Sequence, residues 1–304
     1  MRNKFVEVLL KKVEQDAQKK IMVLTGDLGF SVLEPLRAKL GDRFINVGIN
    51  EALLASSAAG LASEGFQVYI YSIAPFVTFR CLEQIRNDIC YHKMNVKIIG
   101  VGAGYGYGGL GPTHHAVEDV AALWSLPNLT VYSPADLMQT EWAFEDGFSS
   151  NGPTYYRIGK GGEGVLGSTK PKEVISGVFE YGGGKDLTVL CSGHILEEAL
   201  AVQARFGNEL EKSVQILSFC KLKPFPKADL TRIIQSKNIV ALDELNPYGG
   251  FSAQIGMELL KQKVPVQNFN VFSAKDEFSK VVGSYKFQRK AHEIDAEHIF
   301  KTIT

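Results

Sequence analysis

Two patterns of apolar positions alternate along the chain. Residues 3–17 repeat apolar side chains at helical spacing, through Phe5, Val6, Leu9, Leu10 and Val13. Ile21-Met-Val-Leu-Thr25 then has no polar face, which suits a strand of a parallel sheet covered on both sides. Further strands are expected over 44–47, 66–71, 96–101, 129–132 and 154–158. Helices are expected over 51–62, up to about Cys90, and over 116–126 and 136–148. After a Gly-rich stretch without a clear period, a second and smaller unit repeats the alternation. Its strands are expected over 187–191, 214–219, 239–242 and 266–271, with helices starting near Leu196, Lys227 and Gly250. The pattern predicts an α/β protein of two consecutive doubly wound domains. The first spans 1–160, a linker spans 161–185, and the second spans 186–304.

The run Glu51-Ala-Leu-Leu-Ala-Ser-Ser-Ala-Ala-Gly-Leu-Ala62 reads as a buried helix of small and apolar residues. Glu51 is then a carboxylate with few partners at its N-terminal end. The helix dipole tolerates an anion there. Such a group either caps the helix or keeps a proton that it exchanges with a bound ligand.

Ligands of open parallel sheets bind past the carboxyl ends of the strands. Gly26-Asp-Leu-Gly-Phe-Ser31 is such a loop, and makes Asp27 and Ser31 candidates, although both are also common turn formers. Phe76, Phe79 and Arg80 follow the strand over 66–71, where the rings are either core or a surface for a flat ligand. Gly102-Ala-Gly-Tyr-Gly-Tyr-Gly-Gly-Leu-Gly-Pro-Thr-His-His115 contains a formal GxGxxG. It lacks a helix opening at the last glycine and an acid about 20 residues on, so it is not a dinucleotide fingerprint. It lets a ligand approach the backbone closely, and it delivers His114 and His115 to the start of the next expected helix. No third ligand at metal spacing accompanies them. Arg157, at a strand's carboxyl end, is placed either to clamp a phosphate or carboxylate or to form a salt bridge. In the second unit, 243–250 is the one candidate site loop.

Composition narrows the classes. The 304 residues carry 33 Lys+Arg and 33 Asp+Glu, so no basic surplus points to nucleic acid or an anionic membrane. No apolar run approaches the roughly 20 residues of a membrane span, and no signal peptide is visible. Cys81, Cys90, Cys191 and Cys220 form no CxxC pair and read as reduced core residues of a cytoplasmic protein.

Taken together and in order, several segments resemble the C-terminal half of transketolase, the pyrimidine-binding and C-terminal domains of thiamine-diphosphate enzymes. They are Gly26-Asp-Leu, Gly48-Ile49-Asn-Glu51, Phe76-Val-Thr-Phe79-Arg80 with Glu83-Gln-Ile-Arg-Asn87, Gly111-Pro-Thr-His114-His-Ala-Val-Glu-Asp119, Ser133-Pro-Ala-Asp136 and Pro153-Thr-Tyr-Tyr-Arg157. The resemblance implies that Glu51 hydrogen-bonds the aminopyrimidine of thiamine diphosphate and promotes the imino tautomer that deprotonates the thiazolium carbon. Phe76 or Phe79 stacks on the pyrimidine, with Ile49 and Arg80 beside it. His114 handles substrate oxygen, and Asp27, Ser31, Arg157 and Arg2 line the sugar or sugar-phosphate end.

Two positions depart from the family pattern. Leu110 stands where the motif has an acid that meets a donor hydroxyl, and Gly102 stands where a transketolase puts a phosphate-binding histidine. No Gly-Asp-Gly…Asn sequence for metal and diphosphate is present either. The resemblance therefore implies one subunit of a split transketolase, moving a two-carbon ketol unit between sugars. A diphosphate-binding N-terminal subunit would hold Mg2+ or Ca2+, and the assembly would be a homodimer or an α2β2 heterotetramer. A pyruvate-using acyl transferase or deoxyxylulose-phosphate-synthase-like enzyme is the alternative, and a non-catalytic regulatory homologue is a third.

Overall fold

A computed structural model describes all 304 residues except Thr169 and Ala228. The first sheet contains β1 (Ile21–Thr25), β2 (Phe44–Asn46), β3 (Gln67–Ile73), β4 (Val96–Val101), β5 (Thr130–Tyr132) and β6 (Thr154–Ile158), all parallel. Its order runs β5-β6-β4-β3-β1-β2. Every residue of β1, β4 and β6 is buried, because helices cover both faces. Helix Arg2–Gln15 covers one of them with Phe5, Val6, Val8, Leu9 and Val13, and the Phe5 ring stacks 6.1 Å from that of Tyr71.

The second sheet comprises β7 (Lys172–Ile175), β8 (Val178–Tyr181), β9 (Leu187–Cys191), β10 (Val214–Phe219), β12 (Asn238–Leu242) and β13 (Asn268–Phe272). Its order is β13-β12-β9-β10-β8-β7, with β7 and β8 antiparallel to their neighbours. The expected linker is corrected here. Part of 161–185 is a hairpin that extends the second sheet, while Thr169 within it lies outside the described residues. A further strand was not expected either. Directly after β10, β11 (Lys221–Lys223) crosses to the first sheet and pairs antiparallel with β5. The second unit thus supplies an edge strand to the first.

Two helix expectations are also corrected. The helix expected from about Lys227, next to Ala228, is the short turn Leu230–Ile233. The helix expected over 116–126 runs only over Asp119–Trp124, because Ala116 is held extended by a bridge to Gly104. His114 and His115 therefore do not sit at that helix's N-terminus. His114 ends the tight turn Pro112–His114 instead. All four cysteines are free and buried, and no helix among the described residues is long and apolar enough to cross a membrane.

Candidate active site

Asn50, not Glu51, caps the helix Glu51–Ser63: its side chain accepts from the Leu53 N–H at 2.9 Å. That removes the capping role from Glu51 and leaves its carboxylate, 4% exposed, aimed at its surroundings. The expectation of a carboxylate with few partners is corrected by Arg80. One guanidinium nitrogen of Arg80 donates to both Glu51 oxygens, at 3.2 and 3.0 Å.

From Glu51 the side chains run in a line. The Arg80 guanidinium lies 4.1 Å from the centroid of the Phe76 ring, and the His114 ring stands edge-on to Phe76 at 5.1 Å. Pro75 in the first turn of helix Ala74–Phe79 fixes where this aromatic segment begins. The Thr113 hydroxyl lies 2.9 Å from His114 Nδ1 and orients that ring. Tyr107 stands edge-on to His114 at 6.3 Å, and Lys160 lies over the Tyr107 ring at 5.5 Å. His115 turns the other way. It is buried, edge-on to Tyr105, and burial lowers its pKa.

The Glu51 helix is not buried all round. Leu53 on its outer face is 48% exposed, and Ile49, Phe79 and Leu110 nearby are 77%, 45% and 58% exposed. Exposed apolar groups clustered around a buried carboxylate mark a surface made for a ligand or another chain.

Asp27 and Ser31 are exposed on the loop after β1, both with left-handed backbone, φ 56° and 62°. Their contacts are with Asn46 and Glu34: Asp27 N–H donates to Asn46 Oδ1 at 2.9 Å and Ser31 N–H to Glu34 Oε1 at 2.7 Å. Sparsely populated backbone of this kind at a strand's end is a feature of ligand loops.

Arg157 is corrected as a substrate clamp. Its side chain is 1% exposed. Its Nε meets both Asp119 oxygens at 3.2 Å, and another nitrogen donates to the Ala116 carbonyl at 2.8 Å and the Glu244 carbonyl at 3.4 Å. Three residues on, Lys160 is exposed at the rim of a cavity of about 270 Å³ between the two units, also lined by Gly161, His194, Tyr285 and Arg289. Arg2 is half-buried beside Gly161 with a buried Nε that has no partner among the described residues. The sequence reading missed Lys160. Its signal was position: an exposed cation just past the end of β6, in a glycine-rich turn.

Residues 3–162 match the transketolase pyrimidine-binding domain. The chain belongs to the transketolase family. It is 30% identical to one of the subunits of the apulose-4-phosphate transketolase of Phocaeicola vulgatus, over 88% of this chain and 85% of that one. It is 31% identical to 1-deoxy-D-xylulose-5-phosphate synthase of Oleidesulfovibrio alaskensis, over 86% of this chain but 41% of that protein. Among solved structures, a split-gene transketolase described as an inactive beta4 tetramer superposes with a TM-score of 0.83 at 27% identity, covering 99% of this chain and 96% of that one. The chain is thus a transferase of the transketolase type, dependent on thiamine diphosphate.

The site of this transketolase-family chain fits the aminopyrimidine half of that cofactor. A flat heterocycle needs an apolar or aromatic bed and one hydrogen-bonding anion at its edge. Phe76, Phe79 and Ile49 offer the bed, and Glu51 offers the anion. In this structure Arg80 fills that role toward both Phe76 and Glu51, as a planar cation laid on a ring and bonded to the carboxylate.

Proposed function

We propose that this chain is the C-terminal subunit of a split transketolase, transferring a two-carbon ketol unit between sugar substrates together with a diphosphate-binding subunit. The observation that carries the reading is the line Glu51–Arg80–Phe76–His114, standing at the edge of an open apolar face. Bound there, thiamine diphosphate would supply an acidic carbon that becomes a nucleophile toward the donor's carbonyl group once its proton is removed. Glu51 holds the pyrimidine ring nitrogen and moves a proton at its carboxylate. Phe76 and Phe79 hold the ring flat. Arg80 leaves Glu51 when the pyrimidine arrives. Arg80 is 49% exposed, so its ion pair contributes only about 0–1 kcal/mol, and its contact with Phe76 adds roughly 0.5–1 kcal/mol; a bound cofactor outweighs both. His114, oriented by Thr113, meets substrate oxygen. Arg2 and Lys160 take the anionic end of a sugar phosphate, in the place Arg157 was expected to fill, and Asp27 and Ser31 stay candidates at the outer edge.

The partner, in this reading, holds the diphosphate with Mg2+ or Ca2+, and the assembly is a homodimer or α2β2. Among the described residues no group of three or more His, Cys, Asp or Glu side chains stands together to hold a metal. A diphosphate without metal or matching cations leaves most of its charge uncompensated. The isolated chain is therefore expected to bind thiamine diphosphate weakly and to turn over nothing, with both gained on adding the partner. Calorimetry and a ketol-transfer assay check this; tight binding by the lone chain overturns the division of labour.

Leu110 favours a second reading, a pyruvate-using enzyme of the deoxyxylulose-phosphate-synthase kind. It is apolar and 58% exposed on the loop that carries His114, and it tolerates a donor without the usual hydroxyl. Leu110→Asp is expected to shift donor preference toward hydroxylated ketoses, since a carboxylate that the partner subunit buries without a hydroxyl partner costs about 1–3 kcal/mol. The ratio of kcat/KM values for the two donor types measures this. An unmoved ratio removes Leu110 from the donor pocket.

A further inference from the structure

The line of side chains past His114 ends at Tyr107, and the backbone beneath explains why that ring lies where it does. Gly102, just past β4, has φ of 90°, and a Cβ built on it would stand 2.1 and 2.2 Å from two carbons of the Tyr107 ring. The ring thus occupies the space that a side chain at 102 would need. Tight turns hold it there: Gly108 N–H donates to the Tyr105 carbonyl and Leu110 N–H to the Tyr107 carbonyl, each at 2.8 Å. The ring meets His114 at 6.3 Å and Lys160 at 5.5 Å. Its neighbours in the loop, Ala103 and Gly106, line the cavity of about 270 Å³. Burial raises the phenol pKa, with Arg2 opposing.

We propose that Tyr107 sets the length of sugar that the site accepts, its ring forming the wall between the reacting end at His114 and the cavity beyond Lys160. This rests on the function proposed above. A short substrate ends against the ring. A longer one needs the volume the ring fills. The glycine at 102 and the tyrosine at 107 then act as a pair, because any side chain at 102 collides with the ring.

The test has two parts. In the complex of this chain with its diphosphate-binding partner and cofactor, aldehyde acceptors of two to six carbons are compared for wild type, Tyr107→Ala and Tyr107→Phe. Tyr107→Ala is expected to raise kcat/KM for five- and six-carbon acceptors relative to glycolaldehyde by about 10-fold or more, the scale of pocket-size discrimination. Tyr107→Phe keeps the wild-type ratio. Separately, Gly102→Ala is made with and without Tyr107→Ala and melted as the full chain. The left-handed strain at 102 is common to both backgrounds, so a greater loss of Tm with the tyrosine present reports the ring contact itself. Equal losses in the two backgrounds overturn the placement. A contact that is present with an acceptor ratio that does not move overturns the length-setting role. A wild-type complex that transfers to no acceptor overturns the parent function and this proposal with it, and the melting pair still reads the ring's position independently.

Discussion

Glu51→Gln is expected to cut kcat by about 100-fold or more while the chain stays folded, the range typical of a lost general acid–base group. Glutamine keeps the shape and can still accept and donate hydrogen bonds. It cannot exchange a proton with the pyrimidine nitrogen. The loss belongs in kcat rather than in substrate KM, because the group acts on the cofactor and not on the sugar. It also belongs before any substrate binds, as slower exchange of the thiazolium C2 proton in the reconstituted complex. Asn50 carries the helix cap, so Glu51→Gln leaves the Asn50–Leu53 hydrogen bond in place and the helix should not fray. The substitution also loosens Arg80, whose ion pair with Glu51 becomes a hydrogen bond to a neutral amide oxygen. If exchange proceeds at the wild-type rate with cofactor bound, Glu51 is not the proton-moving group. Arg80→Ala is the useful companion: it frees the carboxylate without touching it, and should leave C2 exchange intact.

How much of this was legible in the sequence depended on whether a residue's role was local. Strands with continuous apolar runs were, and β4, β6, β9 and β10 form over the residues expected, because burial on both faces demands that pattern. The hairpin β7–β8 and the crossing strand β11 were not. β11 is Lys-Leu-Lys at the edge of a sheet, too short and too polar to announce itself, and it becomes a strand because β5 offers an unpaired edge. The same division holds at the site. Glu51, Phe76 and His114 are candidates that come from motifs that are each local. Arg80 on Glu51 and Arg157 on Asp119 join residues 29 and 38 positions apart, and no spacing rule predicts either pair. The glycine-rich loop marked itself by composition, yet the packing of the Tyr107 ring across Gly102 showed only in the structure.

Arg157→Met is expected to destabilise the chain severely, and this separates a strut from a phosphate clamp. The Arg157–Asp119 pair is 1% and 0% exposed, and the Asp119 carboxylate also takes the Tyr155 hydroxyl at 2.6 Å. Removing the guanidinium leaves the Asp119 carboxylate buried with one neutral donor, and takes one donor each from the Ala116 carbonyl, which keeps the Gly104 N–H, and the Glu244 carbonyl. Deleting one partner of such a pair costs about 3–5 kcal/mol, against a total domain stability of about 5–15 kcal/mol. In a chain of this size that is a fall in Tm of roughly 5–8 °C. Ala116 also bridges to Gly104, so the loop bearing His114 loses an anchor, and what turnover survives should drop in kcat. Removing both charges, Arg157→Met with Asp119→Leu, should recover much of the stability, since a buried pair replaced by apolar groups of similar volume is often neutral. A clamp behaves in the opposite way. There, Arg157→Met would leave Tm near wild type and raise KM for phosphorylated sugars alone, and the Asp119 change would rescue nothing. Melting wild type and the two variants, and measuring KM for a phosphorylated and an unphosphorylated acceptor, decides between them. The same acceptor pair applied to Lys160→Met should show the selective rise in KM that Arg157 does not.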